Sequence, residues 1–164
     1  MRFAIRAYRP EDFQTLWEID QSCFPPGISY SRFELKSYIR RESSFTIVAE
    51  EVEGDGTAAE PGEVDSPKIA GFLVGERTPK GRGHIITIDV RERGRRHGIG
   101  SAMLQVAEGK FEAAGCSAIR LETAVDNIGA LSFYKRHGYT VIRTVPGYYS
   151  DGVDALLLEK KLPS

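Results

Sequence analysis

The sequence predicts a mixed α/β (α+β) domain, because strand-like and helix-like segments follow one another in the order βααβββαβαββ. Apolar runs with alternating or β-branched patterns predict about seven strands, at 3–8, 45–52, 68–76, 84–90, 118–125, 140–145 and 154–162. Amphipathic segments predict about four helices, which begin near Pro10, Ser31, Ile99 and Asn127. A length of 164 residues suits one domain. We therefore expect residues 1–164 to form a single central sheet with helices on its faces.

Residues with strong backbone preferences set the element boundaries. Two prolines and a glycine within residues 23–30 cannot continue a helix, so this segment is predicted to be a loop. Ser31 followed by Glu34 forms a capping-box pattern, which indicates the start of the second helix. Residues 53–67 include five acidic side chains and show no apolar periodicity. They are predicted to form a flexible acidic hairpin loop.

Charge and composition exclude several classes of protein. The net charge of −1 offers no general attraction to nucleic acid or to a membrane. No apolar run approaches the roughly 20 residues that a membrane helix needs, so a cytoplasmic protein is expected. Cys23 and Cys116 are expected to be free, buried thiols. His84, His97 and His137 lack the spacing of metal ligands, so no metal is expected.

Residues 95–100 lie between an apolar strand and an amphipathic helix, which is a common arrangement for binding phosphate. The first N–H groups of a helix lack partners, and Gly98 and Gly100 let a ligand approach the backbone. Positive charge around the turn comes from Arg91, Arg93, Arg95, Arg96 and His97. The motifs GxxxxGK[ST] and GxGxxG are both missing, which argues against a P-loop and a dinucleotide site. A basic solvated turn and a nucleic-acid patch are alternative interpretations.

Two blocks of sequence resemble the GNAT superfamily of N-acetyltransferases. Arg95-x-x-Gly98-x-Gly100 at the head of a helix resembles the acetyl-CoA signature of that family. The later block of the family is matched by Asn127, Ala130, Phe133, Tyr134, Gly138 and Tyr139. The element order agrees over nearly the whole chain. The resemblance implies a mostly antiparallel sheet in a GNAT-type domain, and acetyl-CoA as the co-substrate.

The same resemblance assigns the expected acetyl-CoA contacts. The backbone N–H of Val90 would hold the thioester carbonyl oxygen where its strand splays from the neighbouring strand. Main-chain groups of Ile88 and Val90 would pair with the pantetheine amides. The other expected contacts are Arg95, Arg96, His97, Gly98, Ile99, Gly100, Ser101, Asn127 and Tyr134.

Two side chains are candidates for acid–base catalysis. Glu122 is the expected general base, because it is a carboxylate on a strand and occupies the family position; an ion pair with Arg120 or another cation is the alternative. Tyr134 is the expected general acid, and a core tyrosine with a satisfied hydroxyl is the alternative. Asn127 shares a helix face with Tyr134 and either contacts pantetheine or caps the helix.

Within the superfamily, the chain resembles most the protein N-terminal acetyltransferases, including the bacterial enzymes that acetylate a ribosomal protein's N-terminal alanine. The loop after the first helix and a tyrosine pair before the last strand resemble their acceptor-binding segments. The residues expected to surround the acceptor are Phe24, Pro25, Ile28, Tyr30, Tyr148 and Tyr149. Packing of these aromatic loops onto the sheet is the alternative. The acidic segment 53–67 departs from the family pattern.

Three functions remain open from the sequence. The first is direct transfer of acetyl to the N-terminal α-amine of a peptide or protein, in a ternary complex with Glu122 as base and Tyr134 as acid. The second is acetylation of a small amine such as a polyamine, an amino acid or an antibiotic, which the acidic loop would suit. The third is a non-catalytic acyl-CoA-binding regulator. The oligomeric state is not predicted.

Overall fold

The computed structural model describes residues 2–52 and 68–163. Its seven strands are β1 (Arg2–Ala7), β2 (Ser44–Val52), β3 (Ile69–Arg77), β4 (Gly83–Val90), β5 (Ala118–Ala124), β6 (Thr140–Val145) and β7 (Ala155–Lys161). Its four α-helices are α1 (Phe13–Cys23), α2 (Arg32–Arg40), α3 (Ile99–Ala113) and α4 (Ile128–Arg136). The predicted order of elements is confirmed. The first helix differs at its start, because Pro10–Asp12 forms a 3-10 turn before α1.

The strands form one sheet in the order β1-β2-β3-β4-β5-β7-β6. All neighbours are antiparallel except β4 and β5, which run parallel. The mostly antiparallel sheet is therefore confirmed. The parallel pair is short, since only Gly83 with Ile119 and His84 with Arg120 are in register. Two antiparallel halves, β1-β2-β3-β4 and β5-β7-β6, therefore meet at a narrow junction.

Helices cover both faces of the sheet and enclose two clusters of apolar side chains. On one face α1 and α2 bury Leu16, Ile19 and Leu35 against β2 and β3. On the other face α3 and α4 bury a larger cluster that includes Met103, Leu104, Ala107, Phe111, Tyr134 and Tyr139. Burial of these apolar side chains is the main favourable contribution to folding.

Local signals in the sequence explain where several elements begin and end. Ser31 accepts a hydrogen bond from the backbone N–H of Glu34, and the Glu34 carboxylate accepts from the N–H of Ser31, so the predicted capping box is present. After α3 the chain turns at Gly115, whose φ is +80°. The ring of Phe111 lies so close to β4 that a Cβ at Gly83 would be 2.6 Å away.

Three further expectations concern parts of the chain away from the sheet. The predicted acidic loop at 53–67 lies outside the described residues. In the part of the chain that the structure describes, no helix has the length and apolar character needed to cross a membrane. Both cysteines are free thiols, as expected. Only Cys116 is buried, however, and Cys23 is partly exposed beside β4.

Candidate active site

A cavity opens where β4 and β5 diverge beyond their two paired residues. Its volume is about 870 Å³, and it runs between the turn before α3 and the segments 24–30 and 149–153. Because β5 does not continue the ladder, the edge of β4 from Ile85 onward faces this space. A gap of this kind exposes main-chain hydrogen-bonding groups that a ligand can satisfy.

The register of β3 and β4 determines which main-chain groups of β4 face the cavity. The N–H of Arg91 donates to the carbonyl oxygen of Ala70 at 2.8 Å, on the β3 side. Main-chain groups alternate in direction along an antiparallel strand, so the N–H groups of Val90 and Ile88 point the other way. Both residues line the cavity, and their predicted contacts with acetyl-CoA stay a prediction.

The close approach of β3 fixes the position of Val90. Gly71 pairs with Val90, and a Cβ at Gly71 would lie 2.5 Å from the carbonyl oxygen of Asp89. Only glycine therefore fits at this point of β3 without moving β4. The carbonyl oxygen of Val90 accepts hydrogen bonds from the Cys23 thiol and from Nε of Arg95, at 3.4 and 3.3 Å.

The turn before α3 has the backbone shape of an anion site. Arg96 and Gly98 both have positive φ angles, +69° and +77°, and Arg96 is the non-glycine residue for which the structure records this conformation. Successive turns of this kind direct N–H groups toward one point, at the positive end of the α3 dipole. The predicted residues that line the cavity here are Arg95, Arg96, Gly98, Ile99, Gly100 and Ser101.

Other predicted cations near this turn lie elsewhere. His97 is exposed and does not line the cavity. Nε of Arg91 donates to the carbonyl oxygen of Ile69 at 2.8 Å, and Arg93 forms an ion pair of 3.4 Å with Glu51. The cavity side of the turn therefore presents the charges of Arg95 and Arg96.

Glu122 lies on the β5 side of the cavity and pairs with a histidine. Its Oε2 is 2.8 Å from Nε2 of His84, and Nδ1 of His84 is 3.8 Å from Oε1 of Glu76. Burial alone would lower the pKa of His84, but the hydrogen bond and charge of Glu122, with help from Glu76, raise it above its ordinary value. Of the alternative pairing with Arg120 or another cation, the Arg120 half is wrong, because Nε of Arg120 binds Glu159 at 2.7 Å across β5 and β7. The other half is matched by His84 when its ring is protonated.

Tyr134 approaches the same cavity from α4. The residue is 6% exposed, and burial, with smaller effects of Asp89 and Tyr149, raises its pKa. The phenol therefore stays protonated at neutral pH and can donate. Asn127 lines the cavity and also caps the helix, since its Oδ1 accepts from the N–H of Ala130 at 3.2 Å.

The far end of the cavity is bordered by the segments expected to contact the acceptor. Phe24, Pro25, Ile28, Tyr30 and Tyr149 line it, and Ser150 Oγ joins the two segments by donating to the Gly27 carbonyl oxygen at 2.7 Å. Their contact is close, because a Cβ at Gly27 would be 2.8 Å from Cβ of Asp151.

The two predicted tyrosines differ in their exposure to solvent. The ring of Tyr149 meets that of Tyr148 edge-on with centroids 4.9 Å apart, but Tyr148 is 46% exposed and lies at the rim. Burial, with a smaller effect of the nearby Glu122 carboxylate, raises the pKa of Tyr148. Burial and the nearby Glu122 and Asp151 carboxylates raise the pKa of Tyr149 to about 12.

The sequence pattern of the acetyltransferase (GNAT) family matches residues 13–139, which include both strands of the gap and the turn before α3. The chain belongs to the GNAT family. This acetyltransferase therefore uses acetyl-CoA as its co-substrate, and family structures have been solved with CoA and with acetyl-CoA.

Several known proteins resemble this GNAT acetyltransferase closely. An uncharacterized N-acetyltransferase of Methanocaldococcus jannaschii is 41% identical over 103 residues, which are 62% of this chain and 65%, just under two thirds, of that protein. An N-alpha-acetyltransferase of Sulfurisphaera tokodaii is 31% identical, over 98% of this chain and 93% of its own.

Solved structures give the same result for the fold. Ard1 from Thermoplasma volcanium superimposes with a TM-score of 0.83 at 26% identity, with 100% of each chain covered. The ribosomal-protein-alanine N-acetyltransferase of Escherichia coli reaches a TM-score of 0.78 at 19% identity, over 99% of this chain and 96% of its own, which is a likeness of fold alone. The predicted likeness to N-terminal acetyltransferases is confirmed.

Proposed function

We propose that this acetyltransferase transfers acetyl to the N-terminal α-amine of a peptide or protein. The observation that carries the proposal is the bridge at the acceptor end of the cavity, where Ser150 in the turn before β7 donates a hydrogen bond to the Gly27 carbonyl oxygen. An opening bridged on one side in this way suits a chain that enters by its end, whereas an internal lysine needs a groove open on both sides of its backbone. The relative from Sulfurisphaera tokodaii, an N-alpha-acetyltransferase matched over nearly its whole length, supports the same acceptor.

In the proposed reaction, Glu122 and His84 act together as the base. The attacking nitrogen must lose a proton, and Glu122, which lines the cavity, is hydrogen-bonded to His84 behind it. The N–H of Val90 binds the carbonyl oxygen on which negative charge develops, as donors in an oxyanion hole do. The nitrogen forms the new bond to the carbonyl carbon as the bond from that carbon to sulfur breaks.

Tyr134 completes the proposed reaction as the acid. Its phenol gives a proton to the departing sulfur, which leaves as a thiol. The turn with Arg95, Arg96 and the free N–H groups of α3 fits the pyrophosphate of the co-substrate, and the main chain of Ile88 and Val90 fits its amides. These assignments place the carboxylate of Glu122 on strand β5 and the phenol of Tyr134 on helix α4, which are both rigid elements.

A second candidate acceptor is a small cationic amine. Two exposed carboxylates, Asp126 and Asp151, line the cavity near Tyr149 and would attract positive charge. This reading shares the chemistry and differs only in the acceptor.

Turnover of acetyl-CoA across a panel of acceptors tests the proposal. The panel contains peptides with free α-amines, the same peptides with a blocked N-terminus and one lysine, and polyamines. We expect turnover of the free peptides, with Tyr134→Phe lowering kcat by roughly 10²–10⁴-fold and leaving the KM for acetyl-CoA near its original value. Turnover of polyamines alone would contradict the peptide acceptor, and binding of CoA without any turnover would favour a regulator.

A further inference from the structure

Two carboxyl groups meet under the acceptor end of the cavity, where helix α1 packs on strand β4. Asp20 comes from α1 and is fully buried, and Asp89 comes from β4 and is 1% exposed. The two groups are within hydrogen-bonding reach of each other. The ion pairs formed within residues 2–52 and 68–163 include neither of them. Two buried negative charges without a cation would be very costly.

The hydrogen bonds that the two carboxyl groups receive leave one oxygen of each group without a donor. Oδ2 of Asp20 accepts from the N–H of Tyr30 at 2.7 Å, and Oδ1 of Asp89 accepts from the hydroxyl of Thr87. Oδ1 of Asp20 and Oδ2 of Asp89 are both buried and receive no hydrogen bond from any described N–H or O–H group. Two such oxygens are satisfied together if one carboxyl keeps its proton and donates it to the other.

We propose that Asp20 and Asp89 share one proton, and that this hydrogen bond fastens the acceptor loop, residues 24–30, to strand β4 beside Val90. The inference rests on the proposed function, because it concerns the placement of the acceptor relative to the main chain of Val90. Both residues are positioning residues and do not take part in the chemical steps.

Tyr30 links the shared proton to the acceptor loop. Its N–H is held by Asp20, and its carbonyl oxygen accepts from Nε1 of Trp17 and Nε2 of Gln21, at 3.2 and 2.7 Å. Its own hydroxyl donates to the carbonyl oxygen of Ile86 on β4, at 3.3 Å. Loss of the Asp20 contact would free one end of a residue that lines the cavity.

The groups around the pair make a second ionisation unfavourable. Burial raises the pKa of Asp20, and Glu34 adds a like charge; burial and the Asp20 carboxyl raise the pKa of Asp89. The other facing groups are the thiol of Cys23 and the phenols of Tyr30 and Tyr134, while Arg95 approaches the Cys23 sulfur. A raised folded-state pKa stabilises the fold fully below the unfolded value, and this stabilisation is lost as the pH rises through the folded-state pKa.

The variant Asp89→Asn separates a shared proton from ordinary packing. An asparagine amide accepts from Thr87 and donates to Asp20 at every pH, so it mimics the protonated carboxyl permanently. We expect the Tm of Asp89→Asn, relative to the unaltered protein, to increase steadily by about 3 °C or more between pH 5 and pH 9. Asp89→Ala, which removes the hydrogen bond, is expected to lower the Tm at every pH.

Asp12→Asn is the matched control, because Asp12 is equally buried but is paired with a cation. Burial alone would raise the pKa of Asp12, but hydrogen bonds from Arg6 and the N–H of Arg9 lower it. Its stabilising effect is complete above the unfolded pKa and is lost as the pH falls through the folded-state pKa. Asp12→Asn should therefore show a deficit in Tm that stays constant from pH 5 to pH 9.

Kinetics test the positioning role separately. We expect Asp89→Ala to raise the KM for a peptide acceptor about tenfold and to change the KM for acetyl-CoA less than about threefold, with Asp89→Asn restoring the peptide KM. A flat Tm difference for Asp89→Asn, or an asparagine variant as damaged as the alanine variant, would overturn the shared proton. The Tm arm needs no turnover, so this outcome is distinct from failure of the proposed function.

Discussion

The contact between Gly71 and strand β4 leads to a sharp prediction about the backbone of Val90. In Gly71→Ala, the new Cβ would lie 2.5 Å from the carbonyl oxygen of Asp89, where contacts shorter than 3.0 Å are essentially never seen. Strand β4 must therefore move by at least about 0.5 Å, since the atom in the way belongs to the main chain. Overpacking of this kind costs about 1–3 kcal/mol of unfolding free energy.

The effect on catalysis follows from the same displacement. A misplacement of about 1 Å at a reacting centre costs about 10²-fold in rate, so half of that should cost roughly tenfold. We expect kcat/KM with a peptide acceptor to fall about tenfold and the Tm to fall by about 2–12 °C. Steady-state release of CoA and thermal denaturation, both well below the lowered Tm, measure the two effects.

Two other glycines provide matched controls. In Gly75→Ala, the Cβ would lie 2.8 Å from the ring of Phe45 and 2.9 Å from the ring of Phe111, so β3 is overpacked away from the cavity. We expect a similar fall in Tm with kcat/KM unchanged within about twofold. Gly109→Ala meets no atom within 4 Å and lies on α3, so it should stabilise the protein by about 0.5–1 kcal/mol.

A Gly71→Ala protein with a lowered Tm and full kcat/KM would refute the role given to the Val90 amide. Equal losses of kcat/KM in Gly71→Ala and Gly75→Ala would show that loosening of the sheet, and not the position of β4 at Val90, limits the rate.

Three further predictions address other parts of the site. Glu122→Gln removes the charge that raises the pKa of His84 most, and leaves burial, which lowers it, with the smaller opposing effect of Glu76. The value of kcat/KM should fall about 10²–10⁴-fold and its acidic limb should move to lower pH, and an unmoved limb would contradict the pairing. Arg96→Gly relieves a left-handed backbone and removes a charge. The free protein should therefore gain about 1 kcal/mol of unfolding free energy in denaturant titrations, while the KM for acetyl-CoA rises severalfold. A gain in stability without that rise in KM would show that the strained backbone at Arg96 does not serve phosphate binding. Ser31→Ala should cost about 1 kcal/mol and Ser31→Thr much less, and equal costs would mean that the cap contributes nothing.

Most of the fold could be predicted because its signals are local. Alternating apolar runs define the strands, and the Ser31 cap and the turn at Gly115 mark helix ends within a residue or two. The face that a helix buries is a less local property. Leu104 and Phe111 of α3 are fully buried, and their burial follows from how the helix packs on β3 and β4. Spacing along the helix gives only its periodicity.

The site was predictable where it follows a contiguous motif and hidden where it depends on strand register. The turn at 95–101 and the residues around Tyr134 are visible in the sequence. His84 becomes the partner of Glu122 only because the parallel pair places it opposite Arg120, and Arg120 itself pairs with Glu159 because β7 lies on its other side. The pair of Asp20 and Asp89 depends likewise on how α1 packs against β4.

The narrow junction of β4 and β5 has a consequence for how such a protein can diverge. A binding gap bordered by main-chain amides requires a particular path of the backbone, and almost any side chain is compatible with that path. Substitutions are then free to accumulate on both halves of the sheet while the gap keeps its shape, which agrees with a TM-score of 0.83 at 26% identity to the Thermoplasma volcanium protein. Selection for a new acceptor can act on the two short segments 24–30 and 149–153 at the acceptor end of the cavity. The acetyl-transfer chemistry is then inherited while the acceptor changes.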